Sequence, residues 1–152
     1  MATPFLPYVR NPILFFHSSS NPARIILCGQ EIVIFREELL ARMRRAAVLP
    51  PNEDATNGLP QHLTETLIHQ AHICPLPLTE AAVYWQLDPS LWLHPAPDVI
   101  VVADRVSAYQ HTYPSTDTCA FNPGAFATDF AWMVYSPGDR TLAPSSLVDD
   151  DE

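Results

Sequence analysis

Four consecutive β-branched apolar residues, Val99-Ile100-Val101-Val102, constrain the fold of this chain more than any other stretch. The run is too short for a helix and has no polar alternate positions, so it reads as a central strand covered on both faces. Pro95 and Pro97 fix the approach to it, and the chain leaves it at Ala103-Asp104-Arg105-Val106. A second short strand, Cys119-Ala120-Phe121, ends in the turn Asn122-Pro123-Gly124. In open α/β sheets ligands gather at such strand ends, which makes the Leu93 to Trp132 stretch the place to look for a site.

The rest of the chain supplies cover for that strand. Ile13 to Phe16 is a strand candidate that runs into a polar, turn-rich loop. Arg24 to Cys28 and Glu31 to Phe35 are two more, joined as a hairpin with Gly29-Gln30 at the turn and Gly at its first central position. From Glu37 the period becomes helical, with Leu39, Leu40, Met43 and Ala47 on one side and Arg36, Arg42, Arg44 and Arg45 elsewhere. This helix stops before Pro50, and Pro50 to Gly58 is a loop by composition. A second helix begins at Pro60, carries Leu63, Leu67 and Ile68, and runs to about Ala71. Trp85 and Trp92, among prolines, are assigned to the core rather than to base stacking. Phe130 to Tyr135 is a last strand, and the acidic run Asp149 to Glu152 is a solvated tail. Sixteen prolines against four glycines fit short elements joined by ordered loops.

Charge and cysteine usage remove several functions. All eight positive charges are arginines and the formal net charge is -9, which leaves no general footprint for a nucleic-acid backbone and argues against tight, direct DNA binding. Arg42, Arg44 and Arg45 form the one basic cluster, and on an acidic chain they read as a solvated helix face rather than a phosphate contact. Cys28, Cys74 and Cys119 are widely spaced with no C-x-x-C pair, as in a reduced, intracellular protein. The N-terminal stretch has neither the basic start nor the apolar core of a signal peptide or membrane span. His62, His69 and His72 lie along the second helix, but no carboxylate or cysteine joins them at ligand spacing, so ordinary histidines are favoured over a metal site.

Several strings taken together carry more than any one of them. Asn21 to Ile25, Gln30 to Glu37, Pro75 to Leu78, Val83-Tyr84-Trp85, Pro95 to Asp98 through Ala103-Asp104, and Asn122-Pro123-Gly124-Ala125-Phe126 occur in an order that resembles the C-terminal part of the B subunit of DNA polymerase epsilon. The resemblance covers about Ile13 to Thr141. It implies an α/β (α+β) fold: the C-terminal part of a calcineurin-like phosphoesterase two-sheet sandwich flanked by helices, with residues 1–144 as one incomplete, inactivated domain and 145–152 as an acidic tail. It also implies a non-catalytic accessory role in the nucleus, in contact with the C-terminal domain of the epsilon catalytic subunit and with other subunits, meeting DNA only within that assembly.

Two departures from the family pattern stand out. The family's upstream helical, OB-like and first phosphoesterase segments do not precede the matched region, so the chain reads as the last part of such a protein. After Asn-Pro-Gly-x-Phe the usual polar stretch is replaced by Ala127-Thr128-Asp129, although Phe130 and Trp132 keep an alternating aromatic pattern.

The chemistry of the strand end agrees with a non-catalytic role. A two-metal phosphoesterase needs clustered Asp, His and Asn ligands. Active members of the wider superfamily carry a G-H-x-H turn after a buried strand, where this chain has Ala103-Asp104-Arg105-Val106, with neither histidine. Arg105 brings a fixed positive charge into the place of a cation. No catalytic residue, metal or cofactor is therefore expected. Asp104 and Arg105 either pair in the former cleft or are both exposed loop charges, and Asn122-Pro123-Gly124, with Phe126 after it, is expected to be a rigid turn that holds the Asp104 loop. The interface with a partner is expected near Trp85, Trp92 and Tyr109. The alternative is a metal-dependent phosphodiesterase or nuclease completed by a companion chain, using Asp104, His111 or His94.

Overall fold

The fold is taken from a computed structural model that describes residues 20–49 and 58–147. Their elements follow the order β1 (Ala23–Leu27), β2 (Gln30–Phe35), α1 (Leu39–Ala46), α2 (Leu59–His69), β3 (Val99–Val102), β4 (Tyr109–Tyr113), β5 (Thr118–Asn122), α3 (Phe126–Asp129), β6 (Ala131–Ser136) and β7 (Thr141–Ser146), with a 3-10 turn at Asp88–Leu91. The first five strands form one sheet in the order β1-β2-β3-β5-β4, and β6 and β7 form a separate hairpin. β2, β3 and β5 run parallel, while β1 and β4 are antiparallel edges.

Register explains why the Val99 to Val102 run needs cover on both sides. Val33, Ile100 and Ala120 align across the sheet, as do Ile32, Val99 and Cys119 one residue earlier, and successive side chains on a strand point to opposite faces. One face packs Val33, Phe35, Ile100, Val102 and Ala120 against Leu39 of α1, Leu63 and Leu67 of α2, and Ile73, Leu76 and Leu93 of the following loop. The other packs Ile32, Val99, Cys119 and Phe121 against Met133, Tyr135 and Leu142 of the β6–β7 hairpin. The result is an α+β sandwich, with helices on one side of the five-stranded sheet and a two-stranded layer on the other.

Several sequence expectations are corrected by the structure. The β1–β2 turn is centred on Cys28-Gly29, not Gly29-Gln30, because Leu27 pairs with Gln30. Both central residues have positive φ, 53° and 79°, as a type I′ turn requires. Trp85 and Trp92 are not core: they are 74% and 51% exposed. The sheet and helices already fill the interior with aliphatic side chains, and the 3-10 turn leads the Trp85 to Trp92 segment along the surface. α2 ends at His69, and Ala71 takes a positive φ of 51°, so His72 lies beyond the helix and does not share its face. β4 and β7 are strands that sequence patterning leaves unassigned, and residues 126–129 form a short helix before β6. The tail expected from residue 145 begins inside β7, where Ala131 pairs with Ser146. The Ile13 to Phe16 strand, the loop from Pro50 to Asn57 and the acidic run at 149–152 lie outside the described residues.

Candidate functional site

The carboxyl ends of β2, β3 and β5 meet the start of α1, and Asp104 sits between them. Ala103 extends β3 by one backbone bond, donating its N–H to the Phe35 carbonyl at 2.8 Å. Asp104 follows and is buried, at 6% exposure. Its Oδ2 accepts the Leu40 amide at 3.0 Å and its Oδ1 accepts its neighbour Arg105's amide at 2.6 Å. Leu40 belongs to the first turn of α1, whose amides have no partner within the helix and whose dipole end favours an anion. Glu38, the residue in the capping position, makes no side-chain cap bond. The helix thus takes its cap from a carboxylate 64 residues downstream.

Arg105 does not pair with Asp104. Its guanidinium is directed to Glu38 at 3.0 Å, with the two side chains 83% and 52% exposed. An ion pair so open to water contributes little. The Arg105 charge therefore lies with Glu38 at the surface, which corrects the expectation that Arg105 occupies a cation's place.

Asn122, fully buried at the end of β5, holds the loop from the other side. Its Oδ1 accepts the Asp104 amide at 3.2 Å and the Gly124 amide at 3.3 Å, while its Nδ2 donates to the carbonyls of Val106 at 2.8 Å and Ser107 at 3.3 Å. Gly124 has a φ of 83°, which an L side chain adopts only under strain. Pro123 between them carries no N–H to satisfy. Phe126 is not part of this turn: it opens α3, is 54% exposed, and meets Phe130 and Trp132 edge to face at centroid distances of 6.2 and 6.3 Å. Tyr109 lies opposite Asn122 in register. Burial pushes its phenol well above the ordinary tyrosine value, and the nearby Asp104 charge adds to that. Its buried hydroxyl has no hydrogen-bond partner among the described residues, so it is not the exposed contact surface that the sequence suggested.

The donor set at this strand end does not fit a divalent cation. Both Asp104 oxygens take backbone amides, and the Asn122 amide nitrogen faces carbonyls while its oxygen accepts two N–H groups. The residues named for a completed phosphodiesterase are not brought together. His111 lies on β4 with its Nε2 3.9 Å from Glu65 of α2, and the exposed His94 precedes β3, at the opposite end of the sheet from Asp104. Among the described residues no three His, Cys, Asp or Glu side chains converge as a metal site. The histidines of α2 and the turn after it diverge as well: His69 bonds the Tyr113 hydroxyl at 2.7 Å, and His72 bonds Asp88 at 3.3 Å.

One network escapes sequence patterning. Asp88 accepts the Trp92 indole N–H at 2.9 Å as well as contacting His72, and His72 Nδ1 accepts the Cys74 amide at 3.1 Å. The Trp92 bond, and then His72, hold the Asp88 carboxyl below its usual pKa. The four-residue spacing of Asp88 and Trp92 across a Pro-containing turn is the signal that points to it. Beside this network Tyr84, Trp85, Leu87 and Leu78 are all more than half exposed.

Known proteins match this chain over most of its length. Residues 3–111 match the family of DNA polymerase alpha/epsilon B subunits. The chain is 41% identical over 129 residues to the DNA polymerase epsilon B subunit of Arabidopsis thaliana, covering 85% of this chain and 24% of that protein. It is 37% identical over 139 residues to DNA polymerase epsilon subunit 2 of Mus musculus and 36% identical over 139 residues to that of Homo sapiens, in each case covering 91% of this chain and 26% of the relative. It therefore spans about a quarter of the length of the curated relatives it matches. The chain belongs to the family of DNA polymerase alpha/epsilon B subunits.

Proposed function

We propose that this chain is the C-terminal segment of a non-catalytic accessory subunit of a DNA polymerase epsilon complex, and that it acts in the nucleus by positioning the catalytic subunit. The names of its relatives support the complex. The observation that carries the non-catalytic part is the commitment of Asp104: at the strand end where a phosphoesterase presents its ligands, this carboxylate caps α1 through Leu40 and closes on the Arg105 amide. A carboxylate bonded in this way stabilises the helix start and is not available to activate a water. In this reading the chain through β7 is part of an inactivated phosphoesterase-like domain, and the partner is the C-terminal domain of the epsilon catalytic subunit. DNA is met only through the assembly, in keeping with a net charge of -9.

The test is co-expression with the C-terminal domain of the epsilon catalytic subunit, followed by size-exclusion chromatography with mass detection. A stoichiometric complex is expected. A folded chain that elutes alone, or one that hydrolyses a phosphodiester after metal loading, overturns the reading.

A further inference from the structure

One open apolar surface of the chain also dictates the shape of its cover. β1 is the outer strand of the five-stranded sheet, and among the described residues no strand pairs with its free side. A two-residue turn closes on a hydrogen-bonded pair, here Leu27 with Gln30, and such pairs then alternate along an antiparallel ladder. Ala23, Ile25 and Leu27 therefore turn their backbone groups toward β2, and Arg24 and Ile26 turn theirs outward. Glu31, opposite Ile26, agrees with this alternation, because its amide faces away from β1 and is taken by Asp98 at 2.9 Å. The free side thus presents the amides and carbonyls of Arg24 and Ile26, beside the exposed side chains of Ile25, Ile26 and Leu27. The helix groove between α1 and α2, with Val48 and Leu49 at its mouth, and the Tyr84-Trp85 loop are open as well, but they offer side chains alone and dictate no partner.

A second β1 strand, antiparallel to the first about a twofold axis, complements this edge in one register. Centred on Ile25, it sets Arg24 opposite the partner's Ile26 and Ile26 opposite the partner's Arg24, so every outward amide and carbonyl gains a hydrogen bond. Centred on Arg24, the pairing would confront two guanidinium side chains and set Ile26 opposite Pro22, which has no N–H. Centred on Ile26, it would set Arg24 opposite Cys28, whose φ of 53° belongs to the turn. In the Ile25 register the apolar side chains also meet. Ile25 lies against the partner's Ile25, Leu27 against the partner's Ala23, and Ile26 against the aliphatic stem of the partner's Arg24. The Arg24 charge already has Glu31 at 2.6 Å, so the pairing leaves no cation uncompensated.

We propose that the outer edge of β1 is a pairing surface for a second copy of this chain, joined antiparallel about Ile25 so that two five-stranded sheets become one continuous sheet. This contact does not depend on the accessory-subunit reading above.

The experiment combines mass with cross-linking. Sedimentation equilibrium of the unchanged, reduced chain is expected to show a monomer passing to a dimer as concentration rises. A mass that stays at the monomer value up to the highest soluble concentration overturns the pairing. Register is read from cysteines placed in a Cys28→Ser background, which lacks the exposed native thiol, and oxidised with copper phenanthroline. Opposed residues that exchange no backbone bonds have Cα atoms about 4.5 Å apart, within disulfide reach, so Ile25→Cys is expected to give a linked dimer. Ile26→Cys is at the more exposed position but lies two residues out of step with its own copy, roughly 8 Å away and beyond that reach. It is expected to link at least tenfold more slowly. Far-UV circular dichroism checks that both variants fold. If Ile26→Cys links as fast as Ile25→Cys, the two copies do not meet about Ile25 and the assignment falls.

Discussion

Every polar atom of the Asn122 side chain is engaged, and none of its partners has another side chain to turn to. Three of the four groups it satisfies, the Asp104 amide and the Val106 and Ser107 carbonyls, belong to the loop between β3 and β4, and the fourth, the Gly124 amide, to the turn that follows β5. Asn122→Ala leaves the Gly124 amide and the Val106 and Ser107 carbonyls without their side-chain partner, while the Asp104 amide keeps the Val102 carbonyl at 3.0 Å, so a loss of about 1–3 kcal/mol is expected in urea unfolding. A loss below about 1 kcal/mol would mean that the loop is held elsewhere. The Asn-Pro-Gly string makes the turn legible in the sequence, because each residue type has one backbone reason to be there. The fate of Asp104 is not legible: its partner Leu40 is distant in sequence, and no local pattern reports a cap borrowed across the fold. Asp88 carries a prediction of a different kind. Its folded-state pKa lies below the unfolded value, so the stability that it contributes is complete above the ordinary aspartate range and is lost as pH falls through the folded value. Carboxyl titration by NMR should therefore give Asp88 a midpoint below that of a free aspartate, with the Trp92 indole N–H resonance moving in the same step. Asp88→Asn should abolish that movement, and an indole signal indifferent to acid would sink the assignment.

Elements are legible in proportion to how strongly one environment acts on them. β3 is buried on both faces and its sequence has no polar position, and α1 carries its apolar stripe at helical spacing. β4, Tyr-Gln-His-Thr-Tyr, is an edge strand whose inward positions are aromatic or imidazole and whose outward ones are polar, so its alternation is masked. β7 contains Pro144, opposite Met133, and only one large aliphatic side chain, Leu142. It is a strand because β6 pairs with it, not because of its own propensity. The assignment of the two tryptophans to the core fails for a related reason, since large apolar side chains are core by default and only the path of the loop shows them at the surface. The β6–β7 hairpin is tied to the main sheet by a short polar chain: the Tyr135 hydroxyl donates to Gln30 Oε1 at 2.6 Å, and Gln30 Nε2 donates to the Pro137 carbonyl at 2.8 Å. Gln30 is 8% exposed, so Gln30→Ala removes both links in a dry place and should cost about 1–3 kcal/mol. Hydrogen exchange is the sharper measurement. The β6 and β7 amides should lose protection in this variant before those of β2, β3 and β5, and equal loss across both layers would mean that they unfold as one unit.

At the scale of the whole molecule, the question is how the chain manages apolar surface that its own elements leave open. β1 is an edge of the five-stranded sheet, unpaired on its outer side among the described residues, and its Ile25, Ile26 and Leu27 are 44%, 81% and 46% exposed. Natural edges are protected by charge, proline or a bulge, because an open row of backbone donors and acceptors invites another strand. Here Arg24 is the one charge, and it is drawn inward to Glu31 at 2.6 Å and to the Trp92 carbonyl. The strand ends in three consecutive apolar residues, a pattern that favours edge-to-edge association once concentration allows it. Ile26 is the position that separates association from folding: its side chain touches water over most of its surface, so replacing it removes little packing, and lysine keeps enough aliphatic stem to cover the neighbouring strand. Ile26→Lys should leave the stability in urea within about 0.5 kcal/mol of the unchanged chain, the usual range for an exposed substitution. Light scattering on concentrated samples should show the unchanged chain growing in mass with concentration and the variant remaining a monomer. A variant that associates as strongly as the unchanged chain would move the sticky surface away from β1, to the helix groove or the Tyr84-Trp85 loop, and repeating the measurement on Val48→Glu would decide between those two.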